Sequence, residues 1–363
     1  MKTTMRRALT IGGLLLVAAI VLAPAIQAKD IKVGAAINLT GPASTWGQYH
    51  AKGTQDYFRY VNEVKGGVKG TKVTMITVDT AYKPAEAVAA VRKFAMQEKV
   101  DMIATWGAGE GIQAKPLLQK FKIPALNYST AWELLQPPVD YMFLPFGSYK
   151  LDCAVVMEYI AAVHKGPRAP KVGLLTYNNA YGRSIHEPSK EYVKGKNIEI
   201  VSIEEFPPQT VDLTTELLRL KQKGAQYVFM QMLPAAIIST LKGADRIGYK
   251  PMFIGTWTST DPDFFKNGKG LLRDRVKMQF CGALPSDNVP GMKIMKELWM
   301  RYKTVDSFDT AYWEGVVVGM IMERAFLRAK EKYGQVNPGN IATAMETFRN
   351  EDFGGLVPNI TYT

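Results

Sequence analysis

Two hydrophobic rhythms take turns along this chain. Short apolar runs close in turn-forming residues, and the longer stretches between them repeat apolar positions three and four apart. The first rhythm predicts strands and the second helices. Strands are expected over residues 32–39, 72–78, 102–105 and 123–127, with helices over 47–63, 84–98 and 111–121. Pro84 suits the start of its helix, where the missing N–H has no acceptor to lose. A second series runs helix 151–164, strand 171–176, helix 181–194, strand 199–204, helix 213–223, strand 227–231 and helix 235–247. Strands over 251–255 and 276–283 and helices over 291–303 and 309–330 complete it, with Val317, Ile321 and Phe326 as core positions of the last. Successive βα units predict an α/β fold, its parallel sheets covered by helices on both faces. The length of 363 residues suits two such domains. No repeat of the kind that builds a solenoid is present.

The N-terminus changes the picture first. Lys2, Arg6 and Arg7 precede an apolar run over 8–23, then Pro24 and the small residues Ala25 and Ala28. This order predicts a secretory signal peptide over residues 1–28, cleaved after Ala28. The run falls short of the ~20 apolar residues a membrane span needs. No cysteine stands near the cleavage point to carry a lipid, so a soluble periplasmic protein is expected. Cleavage would remove three positive charges from a formal net charge of +12. The remaining basic residues are scattered, as at Lys165, Arg168, Arg273 and Arg275, without the aromatic interleaving of a nucleic-acid stripe. Cys153 and Cys281 are too few for a disulfide framework. They either pair or remain two buried free thiols, the favoured reading.

Candidate chemistry is sparse. Gly107, Gly109 and Gly111 follow a strand and open a helix, but their spacing is shorter than a dinucleotide fingerprint, and Asn127 stands where a ribose-binding acid would be expected. A helix N-terminus with close backbone approach holds a carboxylate as readily as a phosphate; a simple tight turn is the alternative. His50, His164 and His186 lack metal-ligand spacing, and no nucleophile elbow, zinc-binding motif or phosphate loop occurs. Neither metal, cofactor nor catalysis is expected. Large amphipathic rings, by contrast, gather where strands end: Trp46, Trp106, Tyr128, Tyr181 and Trp257. Open α/β sheets bind ligands beyond the carboxyl ends of their strands, so the set suggests a pocket wall.

Several stretches resemble the type I periplasmic binding proteins of branched-chain amino acid (Leu/Ile/Val) ABC importers. They are the Leu-Thr-Gly-Pro-Ala-Ser-Thr-Trp-Gly run at 39–47, Val78 and Asp79 with the Pro-Ala-Glu-Ala at 84–87, Lys-Ile-Pro at 122–124, Tyr-Ser-Thr at 128–130 and Asn-Ala-Tyr-Gly at 179–182. Arg-Ile-Gly-Tyr at 246–249 and Tyr-Trp-Glu-Gly-Val at 312–316 suit later family positions. The resemblance implies two doubly wound parallel-sheet domains joined by a hinge of three crossing strands. One lobe would comprise 30–145 plus 284–349, the other 146–283 plus 350–363. It further implies a ligand carboxylate held by Ala108, Gly109, Tyr128 and Thr130, a ring packed on it from Trp46, and contact from Tyr181 across the cleft. A membrane permease is the implied partner, the protein itself being a monomer.

Two departures bear on the ligand. Family members that bind amino acids carry an acid where this chain has Trp257, and a serine-rich turn where it has Gly109, Glu110 and Gly111. An α-ammonium would lack its counter-ion unless Glu110 or Asp261 supplied one. At Thr363 the family's third crossing has only begun, which leaves open a truncated chain or a shorter second lobe. The expected ligand has one anionic or strongly polar end and an apolar or aromatic body. A quaternary ammonium in an aromatic cage is the alternative; a sensor of the same fold and an exported α/β enzyme are the rival functions.

Overall fold

The computed structural model describes residues 29–272, 274–307 and 309–362, so the expected signal peptide lies outside the described residues. Among these, two five-stranded sheets form, each parallel throughout. The first holds β1 (Ile31–Ile37), β2 (Val73–Asp79), β3 (Met102–Thr105), β4 (Ala125–Asn127) and β5 (Met142–Phe143) in the order β2-β1-β3-β4-β5. Central β3 is buried at every position, whereas edge strand β2 is mostly half-buried. This is what apolar runs covered on two faces require. Its helices are α1 (Ser44–Glu63), α2 (Pro84–Lys93), which widens into a π turn over Phe94–Glu98, and α3 (Ala108–Phe121).

The chain then enters the second sheet through α4 (Tyr149–Val163). There follow β6 (Lys171–Tyr177), α5 (Ala180–Arg183), α6 (His186–Val193), β7 (Glu199–Phe206), α7 (Thr214–Gln222) and β8 (Tyr227–Gln231). Next come α8 (Pro234–Arg246), β9 (Met252–Gly255), α9 (Pro262–Asn267) and β10 (Val276–Met278). The strand order is β10-β9-β8-β6-β7. The last helices are α10 (Met292–Tyr302), α11 (Thr310–Tyr333) and α12 (Pro338–Glu346). No helix among the described residues is long and apolar enough to cross a membrane.

Four details depart from the sequence pattern. The helix expected over 181–194 is two, because Pro188 has no N–H to give Ser184 one helical turn earlier. The strand expected over 276–283 ends at Met278, and Ala283 instead donates its N–H to Leu356 at 2.8 Å. β5, two residues long, left no periodic trace. Helices α9 and α12 were not anticipated, although each opens on an acceptor side chain followed by proline: Asp261 with Pro262, and Asn337 with Pro338.

Helix α11 runs parallel to α1 in close contact. A Cβ at Gly53 would lie 2.1 Å from the Tyr312 carbonyl, and one at Gly315 would lie 2.1 Å from the His50 carbonyl. The glycines thus let the helices approach backbone to backbone. Thr54 Oγ1 donates to the Gly315 carbonyl at 2.8 Å, and Tyr57 OH to Glu323 at 2.5 Å. The stretches that pass between the sheets also meet. Tyr362 OH donates to the Leu144 carbonyl at 2.8 Å, beside the Ala283–Leu356 bond and a short antiparallel bridge between Glu351 and Ile360. Neither Cys153 nor Cys281 forms a disulfide among the described residues.

Candidate ligand-binding site

The carboxyl ends of both sheets feed one aromatic cluster. Trp106 follows β3, Tyr128 follows β4, Trp257 follows β9, and Trp46 stands in the first turn of α1. All four are buried. Tyr128 is their meeting point: Trp106 stacks on it at 5.3 Å and 16°, Trp46 tilts against it at 6.1 Å, and Trp257 meets it edge-on at 5.4 Å. The sequence rings from one sheet and the Trp257 ring from the other therefore share one contact. Phe146, on the passage between sheets, packs against both Tyr128 and Trp257.

Polar atoms around this cluster divide into satisfied and unsatisfied. The Trp257 indole donates to Asp152 at 3.0 Å. Asp152 is wholly buried, and that burial pushes its carboxyl up to about 7 against the opposing bonds from Trp257 and Gln279. Tyr181 OH lies 2.7 Å from the Thr258 hydroxyl, and burial raises its pKa too. By contrast, Trp46 Nε1, Trp106 Nε1, Tyr128 OH and Thr130 Oγ1 have no hydrogen-bond partner among the described residues, nor does either ring nitrogen of His50. Buried polar groups are rarely left so, and an indole N–H can only donate.

The glycine turn works differently from a bare anion cradle. Gly107 N–H donates to its own helix's Glu110 carboxylate at 2.7 Å. Asn38 and Thr80 bond the same buried carboxylate, which burial holds above the usual range. A Cβ at Gly111 would lie 2.1 Å from Asn127 Oδ1, so this glycine serves helix-to-strand packing. Ala108 and Gly109, in the first turn of α3, keep N–H groups without helical acceptors. Asp261 caps α9 through the Phe264 N–H at 2.6 Å, and burial pushes it up to about 6. Neither Glu110 nor Asp261 is thus spare for a ligand ammonium.

Two cavities lie where the sheet ends face each other. An inner one of about 20 Å³ touches Trp106, Ala108, Tyr128, Tyr149, Tyr181 and Thr258, room for a water at most. An outer one of about 450 Å³ is lined by Pro42, Tyr82, Gly109, Asn179 and Tyr181 among others. Trp46, Thr130 and Trp257 line neither, although the Trp46 and Trp257 rings pack against Tyr128, which lines the inner one. Tyr82 borders both cavities and was missed in the sequence, though an aromatic three residues past β2 obeys the strand-end rule that found the others. Ala81 and Tyr82 hold left-handed backbone, φ +49° and +62°. Asp79 accepts from Ala81 N–H and Asn38 from Tyr82 N–H, each at 2.9 Å, which over-determines that unfavourable turn.

Thr176 bonds His186 at 2.8 Å and His186 lies 3.6 Å from Glu205, but Thr176 is wholly buried in β6, out of reach of a substrate. Among the described residues no cluster of His, Cys, Asp and Glu could hold a metal ion.

The comparisons agree with this architecture. The chain is 25% identical over 297 residues to a Leu/Ile/Val-binding protein homolog 7 of Brucella suis, covering 78% of this chain and 74% of the relative. Its fold is similar to that of a branched-chain amino acid ABC transporter protein from Thermus thermophilus with bound valine (TM-score 0.83, 24% identity, 93% and 90% of the two chains). It is similar also to a fatty acid ABC transporter substrate-binding protein from Thermomonospora curvata (TM-score 0.83, 21% identity, 92% and 85%). The model of the periplasmic binding protein family matches residues 30–361. The chain therefore belongs to the periplasmic binding protein family.

Proposed function

We propose that this protein is the periplasmic substrate-binding component of an ABC importer, and that its ligand bears a carboxylate or amide oxygen on an apolar or aromatic body. It would close as a hinged monomer, 30–145 plus 284–349 against 146–283 plus 350–363, and hand the ligand to a membrane permease. One observation carries the ligand class: four buried donors at or near these strand ends, Trp46 Nε1, Trp106 Nε1, Tyr128 OH and Thr130 Oγ1, have no acceptor among the described residues. The nearby carboxylates of Glu110, Asp152 and Asp261 are each already bonded. An anionic end gains from such a set. An α-ammonium would meet donors and lose hydration at a cost of several kcal/mol. A quaternary ammonium needs open ring faces, and the stacking of Trp106 on Tyr128 at 16° closes one face of each. The inner cavity of about 20 Å³ means that a ligand must part Tyr181 from Trp106 and Tyr128, which suits a clamp.

The test is a thermal-shift screen followed by calorimetry, using aromatic and aliphatic carboxylates, their primary amides, leucine, valine and choline. A binder at a hundred times its Kd stabilises the protein by about 2.7 kcal/mol. Carboxylates are expected to raise the melting temperature and leucine and valine to leave it unchanged. Tight leucine or valine binding, with no response to any simple acid, would overturn the proposal.

A further inference from the structure

His50 stands one helical turn after Trp46 on α1, so the two side chains leave the same face. Both meet Tyr128: the His50 ring lies edge-on to it at 4.5 Å and 70°. His50 is 2% exposed, and neither ring nitrogen has a partner among the described residues. Burial lowers its pKa to about 3, so the ring is neutral at physiological pH, with one N–H and one lone pair. Packing alone would be served better by phenylalanine or leucine, which fill similar space without stranding polar atoms. The placement among donors gives the imidazole a distinct use. Indole N–H groups cannot accept a hydrogen bond, and the imidazole nitrogen can.

We propose that the ligand site extends past Tyr128 to His50, and that its ligand is a hydroxy acid. The carboxylate meets the donors of Trp46 and Trp106, and the hydroxyl hydrogen is accepted by the His50 ring nitrogen. This rests on the carboxylate reading above and narrows it.

Calorimetry with matched acids tests it: benzoate against its three monohydroxy derivatives, 3-phenylpropionate against 3-phenyllactate, and 4-methylpentanoate against 2-hydroxy-4-methylpentanoate. In at least one pair the hydroxy member should bind about tenfold tighter or better, since a site built around a hydroxyl leaves buried groups unmet without it. His50→Phe, which keeps a ring edge on Tyr128, should bring that pair within about threefold; His50→Gln, which keeps an acceptor, should retain most of the preference. Binding of both members equally by the wild type overturns the inference and leaves the carboxylate reading standing, as does a preference that survives in a folded His50→Phe protein. If His50→Phe fails to fold, the wild-type ratio and its retention in His50→Gln decide. Binding of no acid in the panel overturns both readings together.

Discussion

The Trp257 indole N–H donates across 3.0 Å to the Asp152 carboxylate, tying the end of β9 to the first turn of α4 with both groups buried. Burial raises Asp152 in the folded protein to about 7, well above its value in an unfolded chain. The folded state therefore holds the proton longer, and this group's contribution to stability falls as pH rises through about 4 to 7. Asp152→Asn cannot titrate and keeps an acceptor for the indole. Its melting temperature relative to wild type should rise steadily between pH 4 and pH 8. Asp152→Ala, which strands the indole N–H, should lose about 1–3 kcal/mol near pH 4. Parallel melting curves for wild type and Asp152→Asn across that range would refute the assignment.

The two indole donors can be tested with an aromatic ring kept at each position. Trp46→Phe and Trp106→Phe each keep an aromatic side chain and remove one donor. Each should weaken carboxylate binding by about tenfold, the scale of one hydrogen bond to a charged group. Calorimetry on the refolded variants checks this, and unchanged affinity in both would remove the donors from the site.

Closure has its own handle. Thr45 Oγ1 on α1 donates to Asp263 on α9 at 2.9 Å, a contact between helices of the two sheets. Thr45→Val removes it with little change of shape. At about 0.5–1.5 kcal/mol for such a bond, ligand release should quicken roughly two- to tenfold. In small-angle scattering the wild type should contract at saturating ligand. An equal radius of gyration with and without ligand would count against a clamp.

Gly315 offers the sharpest stability test. Alanine there would place a methyl 2.1 Å from the His50 carbonyl, against backbone that cannot turn aside. Gly315→Ala should cost about 2 kcal/mol or more, in the range of overpacked cores. Gly334, with φ +73° at the end of the same helix and open space around it, supplies a control. Gly334→Ala pays only the left-handed penalty of about 1 kcal/mol. A smaller loss at 315 than at 334, read from chemical denaturation, would refute the close approach.

Much of this was legible because it is local. A strand's end follows from where its own apolar run stops, so Trp46, Trp106, Tyr128 and Trp257 could be placed beyond strand ends before any contact was known. What escaped was pairing at a distance. Asp152 lies 105 positions from Trp257, and nothing near it distinguishes a buried partner from a first-turn acid favoured by the helix dipole. His50 hides for the opposite reason: one histidine inside an amphipathic helix fits packing as well as binding. Glu110, weighed as a counter-ion, is instead held by Gly107, Asn38 and Thr80, because its capping geometry satisfies it before any ligand arrives. The split at 184–185 turned on Pro188, whose missing N–H matters only once the helix register is fixed.

The partnership of α1 with α11 governs when the molecule can be finished. Thr54 reaches Gly315 over 261 intervening steps of chain, and closing so long a loop is entropically slow. During synthesis the opening sheet is made first, yet the helix that covers α1 follows only after the whole second sheet. Until then the face of α1 that α11 covers has no permanent partner, so the first lobe is completed only after most of the chain has been made.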